Sequence, residues 1–334
     1  RCFYFFVFCA KMLLRYFIMN KHNFLTKTIF VWLIAAVCCF LWGSAFPSIK
    51  IGYRLFNISS SDTASIILFA GVRFFLAGIL TVIIFSFVNK KLLLPTKKSL
   101  PKIGVLSLFQ TIFQYILFYI ALARTTGEKA SVIQGTSVFV ALLISCLIFK
   151  MEKLTLSKFL GSVVGFVGVI LVSLDIFTQH QSGVSGELLA FLSTVSYAFS
   201  SVFMKRYSKE DNPAMLSGWQ FILGGSVMMI FGTAFGGKIS GFTVKSTLLL
   251  IYLALISAVA YSLWSILLKY NPVSKVAVCG FMTPVFGYAL SSLFASEGQK
   301  MGAIGVVALL LVVLGMIIVN RSPSAARSDK NLLQ

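Results

Sequence analysis

The sequence has 334 residues, of which 58% are hydrophobic and 11% are charged, and its mean hydropathy is +0.93. Soluble globular domains carry roughly 25% charged residues, so this composition excludes a water-soluble fold. Apolar runs recur along the chain at the length of about 20 residues that crosses the hydrocarbon core of a bilayer. The composition therefore predicts an all-α membrane protein whose surroundings are a lipid bilayer.

The strong positive charge is explained by membrane topology. There are 29 Lys and Arg against 9 Asp and Glu, which gives a net charge of +20. A nucleic-acid partner would require this charge on one soluble face, but the basic residues lie mostly in short connectors, so we predict no nucleic-acid partner. A cytoplasmic N-terminus would place 21 basic residues on the cytoplasmic side and 7 on the other side. This bias predicts a multi-pass protein of the cell membrane with both termini in the cytoplasm.

Ten segments are apolar and long enough to cross a bilayer as helices. They are residues 29–50, 64–88, 102–123, 130–149, 156–174, 187–204, 214–236, 247–268, 276–295 and 302–320. Residues 1–18 precede Met19, which looks like a natural start position. We expect residues 1–18 to be a non-native extension or a mobile tail, with an interfacial helix as the alternative.

The chain contains an internal repeat of five predicted helices. FAGVRFFLAGILTVIIF (69–85) aligns without a gap with LSGWQFILGGSVMMIFG (216–232), and GTSVFVALLIS (135–145) aligns with MTPVFGYALSS (282–292). Because five is an odd number, the second copy must insert upside down relative to the first, as in many secondary transporters. We predict a tail, two inverted five-helix repeats and a second tail with the bounds 1–28, 29–175, 176–320 and 321–334.

Five motifs occur in an order that is characteristic of one family. They are FLWGSAFPSIKIGYR (40–54), VRFFLAG (72–78), FYIALARTTGEKASV (118–132), EKLTLSKFLGSVVGFVGVILVS (152–173) and TPVFGYALSSLFASE (283–297). In these motifs the chain resembles the drug/metabolite transporter superfamily, specifically its ten-helix branch built from two EamA-type repeats. The resemblance implies movement of small organic metabolites, very often amino acid export, without specifying the metabolite. Where the family commonly has a proline in the fourth helix, this sequence has Ser137 or Phe139.

Arg73 lies near the middle of the second predicted helix, within FAGVRFFLAG (69–78). An Arg at such a depth costs roughly 2.5 to 3.5 kcal/mol on insertion scales, so we expect it to face a polar interior and to have partners. No Asp or Glu lies well inside a predicted helix. The partners are therefore backbone carbonyls, hydroxyls, amides, water or an anionic group of the substrate. Contact with a substrate carboxylate or phosphate and a purely structural role remain open.

Polar and aromatic residues of other helices complete a predicted substrate site. Pro47 lacks a backbone donor and frees a carbonyl one turn earlier, so Pro47 and Pro284 are predicted hinges. Gln110 and Gln114 are one turn apart and share a face that should point inward. Helix packing without ligand contact is the alternative for each predicted residue. The predicted substrate-binding residues are Trp42, Ser44, Arg73, Gln110, Gln114, Tyr115, Ser196, Tyr197, Gln220, Tyr261 and Trp264.

Other patterns limit the partners and the chemistry. The glycines Gly161, Gly165 and Gly168 form a surface suited to close helix packing inside the protein, with a homodimer contact as the alternative. The sequence contains no GxxxxGK[ST], HExxH or GxSxG motif and no metal-ligand spacing of cysteines, so we predict no cofactor, no metal and no catalytic centre. Glu152 and Glu297 are expected to position loops at helix ends.

Together these patterns predict a secondary transporter that exports a small polar or amphipathic metabolite by alternating access. Amino acids and related compounds are the leading substrate class, on the family resemblance alone. A nucleotide-linked sugar, a vitamin or a drug is an alternative cargo. A membrane interaction protein that uses the fold without transport is an alternative of a different kind.

Overall fold

The computed structural model describes residues 25–125, 127–172 and 185–294, together with several helical residues between 307 and 318. Within these ranges the chain forms helices and connectors, without a strand. The predicted N-terminal extension, residues 1–18, and Glu297 lie outside the described residues.

Each of the ten predicted apolar segments contains helix, which confirms the all-α membrane fold. Seven helices in the described part of the chain are long and apolar enough to cross a membrane, and the others are shorter. Three helices, α3, α4 and α9, are assembled from consecutive pieces, which in α3 are Leu100–Leu106, Ser107–Phe113 and Gln114–Arg124. The helices are α1 (Thr28–Leu55), α2 (Thr63–Asn89), α3 (Leu100–Arg124), α4 (Gly127–Gly135, Ser137–Leu143 and Ile144–Ile148), α5 (Leu156–Val172), α6 (Gly186–Tyr207), α7 (Pro213–Ala234), α8 (Val244–Tyr270), α9 (Val273–Cys279 and Met282–Phe294) and α10 (helical residues within 307–318).

Short polar side chains determine where several helices begin. Asp62 accepts a hydrogen bond from the backbone N–H of Ser65 at 3.0 Å at the start of α2. Asn212 accepts from Ala214 N at 2.9 Å at the start of α7, where Pro213 occupies the first helical position. Each cap satisfies a backbone donor that has no partner within its own helix. The residues that interrupt the apolar runs are therefore also the ones that stabilise the helix starts.

The helices α2 and α7 pack antiparallel and in close contact at four glycines. A Cβ on Gly78 would lie 2.6 Å from the carbonyl oxygen of Gly218, and a Cβ on Gly225 would lie 2.9 Å from that of Gly71. The internal repeat equates Gly71 with Gly218 and Gly78 with Gly225. Exchanging the two repeats therefore converts one glycine contact into the other, which is the behaviour of a two-fold interface.

Two further pairs locate the axis of this symmetry. Phe74 and Phe221 are equivalent in the repeat, and their rings stack on each other with centroids 5.3 Å apart. The same offset of 147 residues equates Gln114 of α3 with Tyr261 of α8, and Gln114 Nε2 donates to Tyr261 Oη at 3.4 Å. Residues that touch their own equivalents lie on the symmetry axis. The two five-helix repeats are therefore inverted relative to each other, as predicted.

The remaining helices surround this central pair. Gly43 of α1 lies against α9, because a Cβ there would be 2.6 Å from Phe286 Cβ. On the outside, a Cβ on Gly315 of α10 would lie 2.6 Å from the carbonyl oxygen of Gly161 and 2.8 Å from Gly165 N. This part of the predicted glycine surface is thus used inside the protein, and a homodimer stays a prediction.

Candidate functional site

A cavity with a volume of about 80 Å³ lies at the centre of the bundle. A cavity needs roughly 10 to 15 Å³ to hold one water molecule, so this cavity has room for more than one. Seven helices from both repeats contribute to its wall. The lining residues are Trp42, Ala45, Phe46, Ile49, Arg73, Gln114, Tyr115, Phe118, Gln134, Ser137, Tyr197, Tyr261, Gly280 and Thr283.

Arg73 reaches the cavity from α2 and joins three helices. Its Nε donates to the carbonyl oxygen of Leu253 at 3.1 Å, and one Nη donates to Ser257 Oγ at 3.0 Å, both in α8. The other Nη donates to Tyr119 Oη of α3 at 2.5 Å. The guanidinium also lies 5.0 Å from the ring centroid of Phe74. Carbonyl and hydroxyl partners therefore hold this charge, as the absence of intramembrane carboxylates in the sequence predicted.

The charge distribution of the cavity wall is one-sided. Among the described residues that line the wall, Arg73 is the only Lys or Arg, and none is an Asp or Glu. A guanidinium has five N–H donors, of which the contacts above use three. In a region of low dielectric constant, an anionic group of a ligand would be attracted to this charge.

Two polar atoms of the wall find no hydrogen-bond partner among the described residues: Trp42 Nε1 and Gln114 Oε1. The indole of Trp42 is fixed by edge-to-face contacts, with centroids 5.0 Å from Tyr261 and 4.9 Å from Trp264. Gln114 is fixed through its Nε2, which donates to Tyr261 Oη. A buried polar group without a partner is costly, so a ligand that satisfies these two atoms gains affinity. The lining residues therefore include one donor and one acceptor without a partner, in addition to Arg73.

Six of the eleven predicted binding residues line the cavity. They are Trp42, Arg73, Gln114, Tyr115, Tyr197 and Tyr261. Tyr115 and Tyr261 hydrogen-bond to each other through their hydroxyls, which ties α3 to α8 at the wall.

The other five predicted residues lie behind the wall or away from it. Trp264 supports the ring of Trp42. Gln110 is buried in α3 outside the cavity lining. Two serines are occupied by other contacts, because Ser44 Oγ bonds to Tyr252 Oη at 2.8 Å and Ser196 Oγ donates to the carbonyl oxygen of Phe109 at 2.6 Å. Gln220 Oε1 accepts from Thr111 Oγ1 at 2.5 Å.

A family model described as the EamA-like transporter family matches residues 27–174 and 184–321. The chain belongs to the EamA-like transporter family. The two matched segments correspond to the two five-helix repeats, so the resemblance seen in the sequence motifs is confirmed. The protein is accordingly a multi-pass protein of a family of membrane transporters.

Several relatives of this EamA-like protein cover most of its length. The uncharacterized transporter YdfC of Bacillus subtilis (strain 168) is 25% identical over 87% of this chain and 89% of its own. The uncharacterized transporter YvbV of the same organism is 26% identical over 89% of this chain and 93% of its own. A solved crystal structure with 15% identity covers 91% of this chain and 99% of its own with a TM-score of 0.64, which is a likeness of fold.

Sequence reasoning missed three polar residues of the wall: Gln134 and Ser137 in α4, and Thr283 in α9. A signal was present, because Ser137 is one of the two candidates for the position where the family commonly has a proline, and Thr283 precedes Pro284. Both helices are also interrupted near these residues, at Thr136 in α4 and at Gly280 and Phe281 in α9. Non-helical backbone at membrane depth is tolerated only where it is buried in protein or lines a water-filled cavity, and polar composition alone does not reveal such a break.

The two predicted hinge prolines lie in helices that form the wall. Pro47 is inside α1, and Ser48 Oγ in the next position donates to the carbonyl oxygen of Ser44 at 2.7 Å. Pro284 is buried in the second piece of α9, just after the interruption of that helix. Both positions are placed to bend a wall helix, and their role as hinges stays a prediction.

Proposed function

We propose that this EamA-like protein is a secondary transporter that moves a small polar or amphipathic metabolite across the cell membrane by alternating access. The observation that carries the proposal is the central cavity, which both inverted repeats line and which contains one buried cation and two unpartnered polar atoms. The leading cargo is an amino acid or a related compound that is moved outward. No enzymatic activity, cofactor or metal is part of the proposal.

Alternating access is supported by the symmetry of the fold. Inverted repeats have two near-equivalent packings, and exchanging them opens a central site to opposite sides of the membrane. Here the axis runs through Phe74 and Phe221 and through Gln114 and Tyr261, and the latter pair belongs to the cavity region. The proposed substrate site therefore lies on the symmetry axis. With both termini in the cytoplasm, as the basic residues predict, one packing faces the cytoplasm and the other faces outward.

The wall fits a compact ligand with a carboxylate and a hydrogen-bond donor. The carboxylate would be placed at Arg73, with the Trp42 indole N–H as a further donor. A donor such as an ammonium group would be placed at Gln114 Oε1 and against the faces of Tyr197 and Tyr261. An amino acid has both groups, and the cavity volume of about 80 Å³ favours a small one. The choice of amino acids over other carboxylates rests on the family resemblance.

The test measures the metabolites in the medium of cells that express the protein. Trp42→Phe removes the unpartnered indole N–H and keeps an aromatic ring against Tyr261 and Trp264. We expect this variant to reduce export of the transported compound by about tenfold, the effect of roughly 1.4 kcal/mol at the site. The matched control is Trp32→Phe, because Trp32 Nε1 is also unpartnered among the described residues but Trp32 does not line the cavity.

The proposal predicts that one class of compound accumulates outside cells with the intact protein and with Trp32→Phe at equal membrane abundance. Accumulation inside the cells would reverse the proposed direction. No change in any compound on either side would contradict transport. Equal loss in both tryptophan variants would show that the cavity does not hold the substrate.

A further inference from the structure

Glu152 connects the two repeats at one end of the bundle. It lies in the connector between α4 and α5, in the first repeat. Its carboxylate accepts a hydrogen bond from Ser274 N at 3.1 Å and a second one from Ser274 Oγ, in the first turn of α9 in the second repeat. Lys158 Nζ of α5 donates to the same carboxylate at 2.8 Å. A side chain of one repeat thus caps a helix of the other.

This contact is protected from solvent. The side chains of Glu152 and Lys158 are 11% and 13% exposed. Burial raises the pKa of Glu152, but the hydrogen bonds from Lys158 and Ser274 outweigh it and hold the pKa below its ordinary value. The carboxylate is therefore ionised at neutral pH. Removing one partner of a largely buried ion pair is strongly destabilising, because the other charge is left buried without compensation. Exposed ion pairs contribute little to stability.

The helix that Glu152 caps forms part of the cavity wall. Gly280 and Thr283 of α9 line the cavity, and they follow Ser274 by six and nine residues. At 1.5 Å per residue, the cap lies about 9 to 14 Å along the helix from the wall. The position of the start of α9 therefore affects the width of the cavity at this end, which we call the basal end and define as the end where α1 and α9 begin.

Neighbouring contacts at the basal end hold the connector that precedes α9. Lys205 Nζ of α6 donates to the carbonyl oxygen of Asn271 at 2.8 Å, and Asn271 Nδ2 donates to that of Leu25 at 2.9 Å. Lys275 Nζ donates to the carbonyl oxygen of Thr26 at 3.0 Å. The acceptors in these contacts are backbone carbonyl groups. The acceptor for Ser274 in the second repeat is instead the side-chain carboxylate of Glu152 in the first repeat.

We propose that Glu152 is a positioning residue that holds the basal end of the cavity closed by capping α9, and that it releases Ser274 when the cavity opens to that side. The inference rests on the proposed transport function. It adds the residue that sets the relative populations of the two states of the transporter, open and closed at the basal end. Glu152→Gln keeps the shape of the side chain and removes the charge that binds Lys158 and the helix start. The basal-open state then gains population at the expense of the other state.

The experiment measures accessibility of the cavity from each side. Ser137→Cys places a thiol on the cavity wall, and its reaction rate with a membrane-impermeant maleimide is measured in right-side-out and inside-out vesicles. Protein without Ser137→Cys provides the background from the native cysteines. We expect Glu152→Gln to raise the rate from the basal side at least fivefold and to lower the rate from the opposite side. Ser274→Ala, which removes one of the two Ser274 donors, should shift both rates in the same directions by a smaller factor.

The matched control is Glu210→Gln. Glu210 also joins the repeats, through Lys102 Nζ at 2.5 Å, but its side chain is 76% exposed and Lys102 keeps a second contact to Asp211 at 2.7 Å. We expect unchanged rates from both sides in this variant. Equal shifts in Glu210→Gln and Glu152→Gln would assign the effect to general charge and overturn the proposal.

Unchanged rates in Glu152→Gln, including no labelling in any variant, would also overturn it. So would a rise from both sides together, because that is the result of local unfolding. If Glu152→Gln does not reach the membrane, Ser274→Ala alone decides between these outcomes. Unchanged labelling rates from both sides in Glu152→Gln, with intact export, would refute only the role of Glu152. Absence of export in the unmodified protein would refute the proposed transport function.

Discussion

The contact between α2 and α7 predicts a sharp difference between two glycine-to-alanine substitutions. A Cβ on Gly225 would lie 2.5 Å from Phe75 N and 2.9 Å from the carbonyl oxygen of Gly71, both of which are backbone atoms. These distances are shorter than the 3.4 to 4 Å of ordinary van der Waals contact, and backbone cannot rotate away as a side chain can. Gly225→Ala should therefore force the two central helices apart.

The expected magnitude follows from two opposing terms. Overpacking of a close contact costs about 1 to 3 kcal/mol, while Ala gains about 1 kcal/mol over Gly in a helix interior. We expect a net loss of about 0 to 2 kcal/mol in the free energy of unfolding for Gly225→Ala. Gly104→Ala in α3 is the matched control, because nothing lies within 4 Å of the added Cβ. Only the gain of about 0.5 to 1 kcal/mol applies there.

The assay is thermal unfolding of purified protein in one detergent at one scan rate. The helix-propensity gain is common to both variants, so they should differ by the overpacking cost of about 1 to 3 kcal/mol. At roughly 2 to 4 °C for each kcal/mol, this is a difference of roughly 2 to 12 °C in apparent Tm. Gly78→Ala, the symmetry equivalent of Gly225→Ala, should fall on the destabilised side as well. Equal apparent Tm values for Gly225→Ala and Gly104→Ala would refute the close glycine contact and the axis derived from it.

Three further predictions concern single contacts. Asp62→Ala should cost about 1 kcal/mol through loss of the cap on α2. Hydrogen bonds from Ser65 lower the pKa of Asp62, so this stability is present above the ordinary carboxyl pKa and is lost as the pH falls through the lowered pKa. The difference in stability between Asp62→Ala and the unmodified protein should therefore be the same at pH 8 and pH 5 and smaller near pH 3. Tyr252→Phe removes the hydrogen bond to Ser44 and should lower the free energy of unfolding by about 0.6 kcal/mol with transport unchanged. A large transport defect would instead indicate that Ser44 belongs to the substrate site. Arg73→Gln loses three bonds and should cost about 2 kcal/mol with reduced membrane abundance; normal abundance with lost transport would instead indicate that Arg73 acts mainly on the substrate.

The cavity shows how far polar composition predicts which residues line the interior of the bundle. Trp42, Gln114 and Tyr261 were predicted as site residues and line the wall, because polar and aromatic groups at mid-membrane depth must point into the bundle. The same rule also selected Ser44 and Ser196, whose hydroxyls are satisfied by Tyr252 and by the backbone of Phe109. A polar side chain has the same reason to point inward whether it meets a cavity or a neighbouring helix.

The sequence by itself determined the number of helices, the inverted repeat and the family. These follow from the length of apolar runs, from the odd number of helices in each repeat and from motifs in a fixed order, and none of them requires knowledge of which helices touch. The tertiary structure decided which partners hold Arg73, that Gln134 and Thr283 reach the cavity, and that Glu152 caps α9. These contacts join residues far apart in the chain, so they depend on crossing positions and helix rotations that are set by close packing, above all at the glycines of α2 and α7.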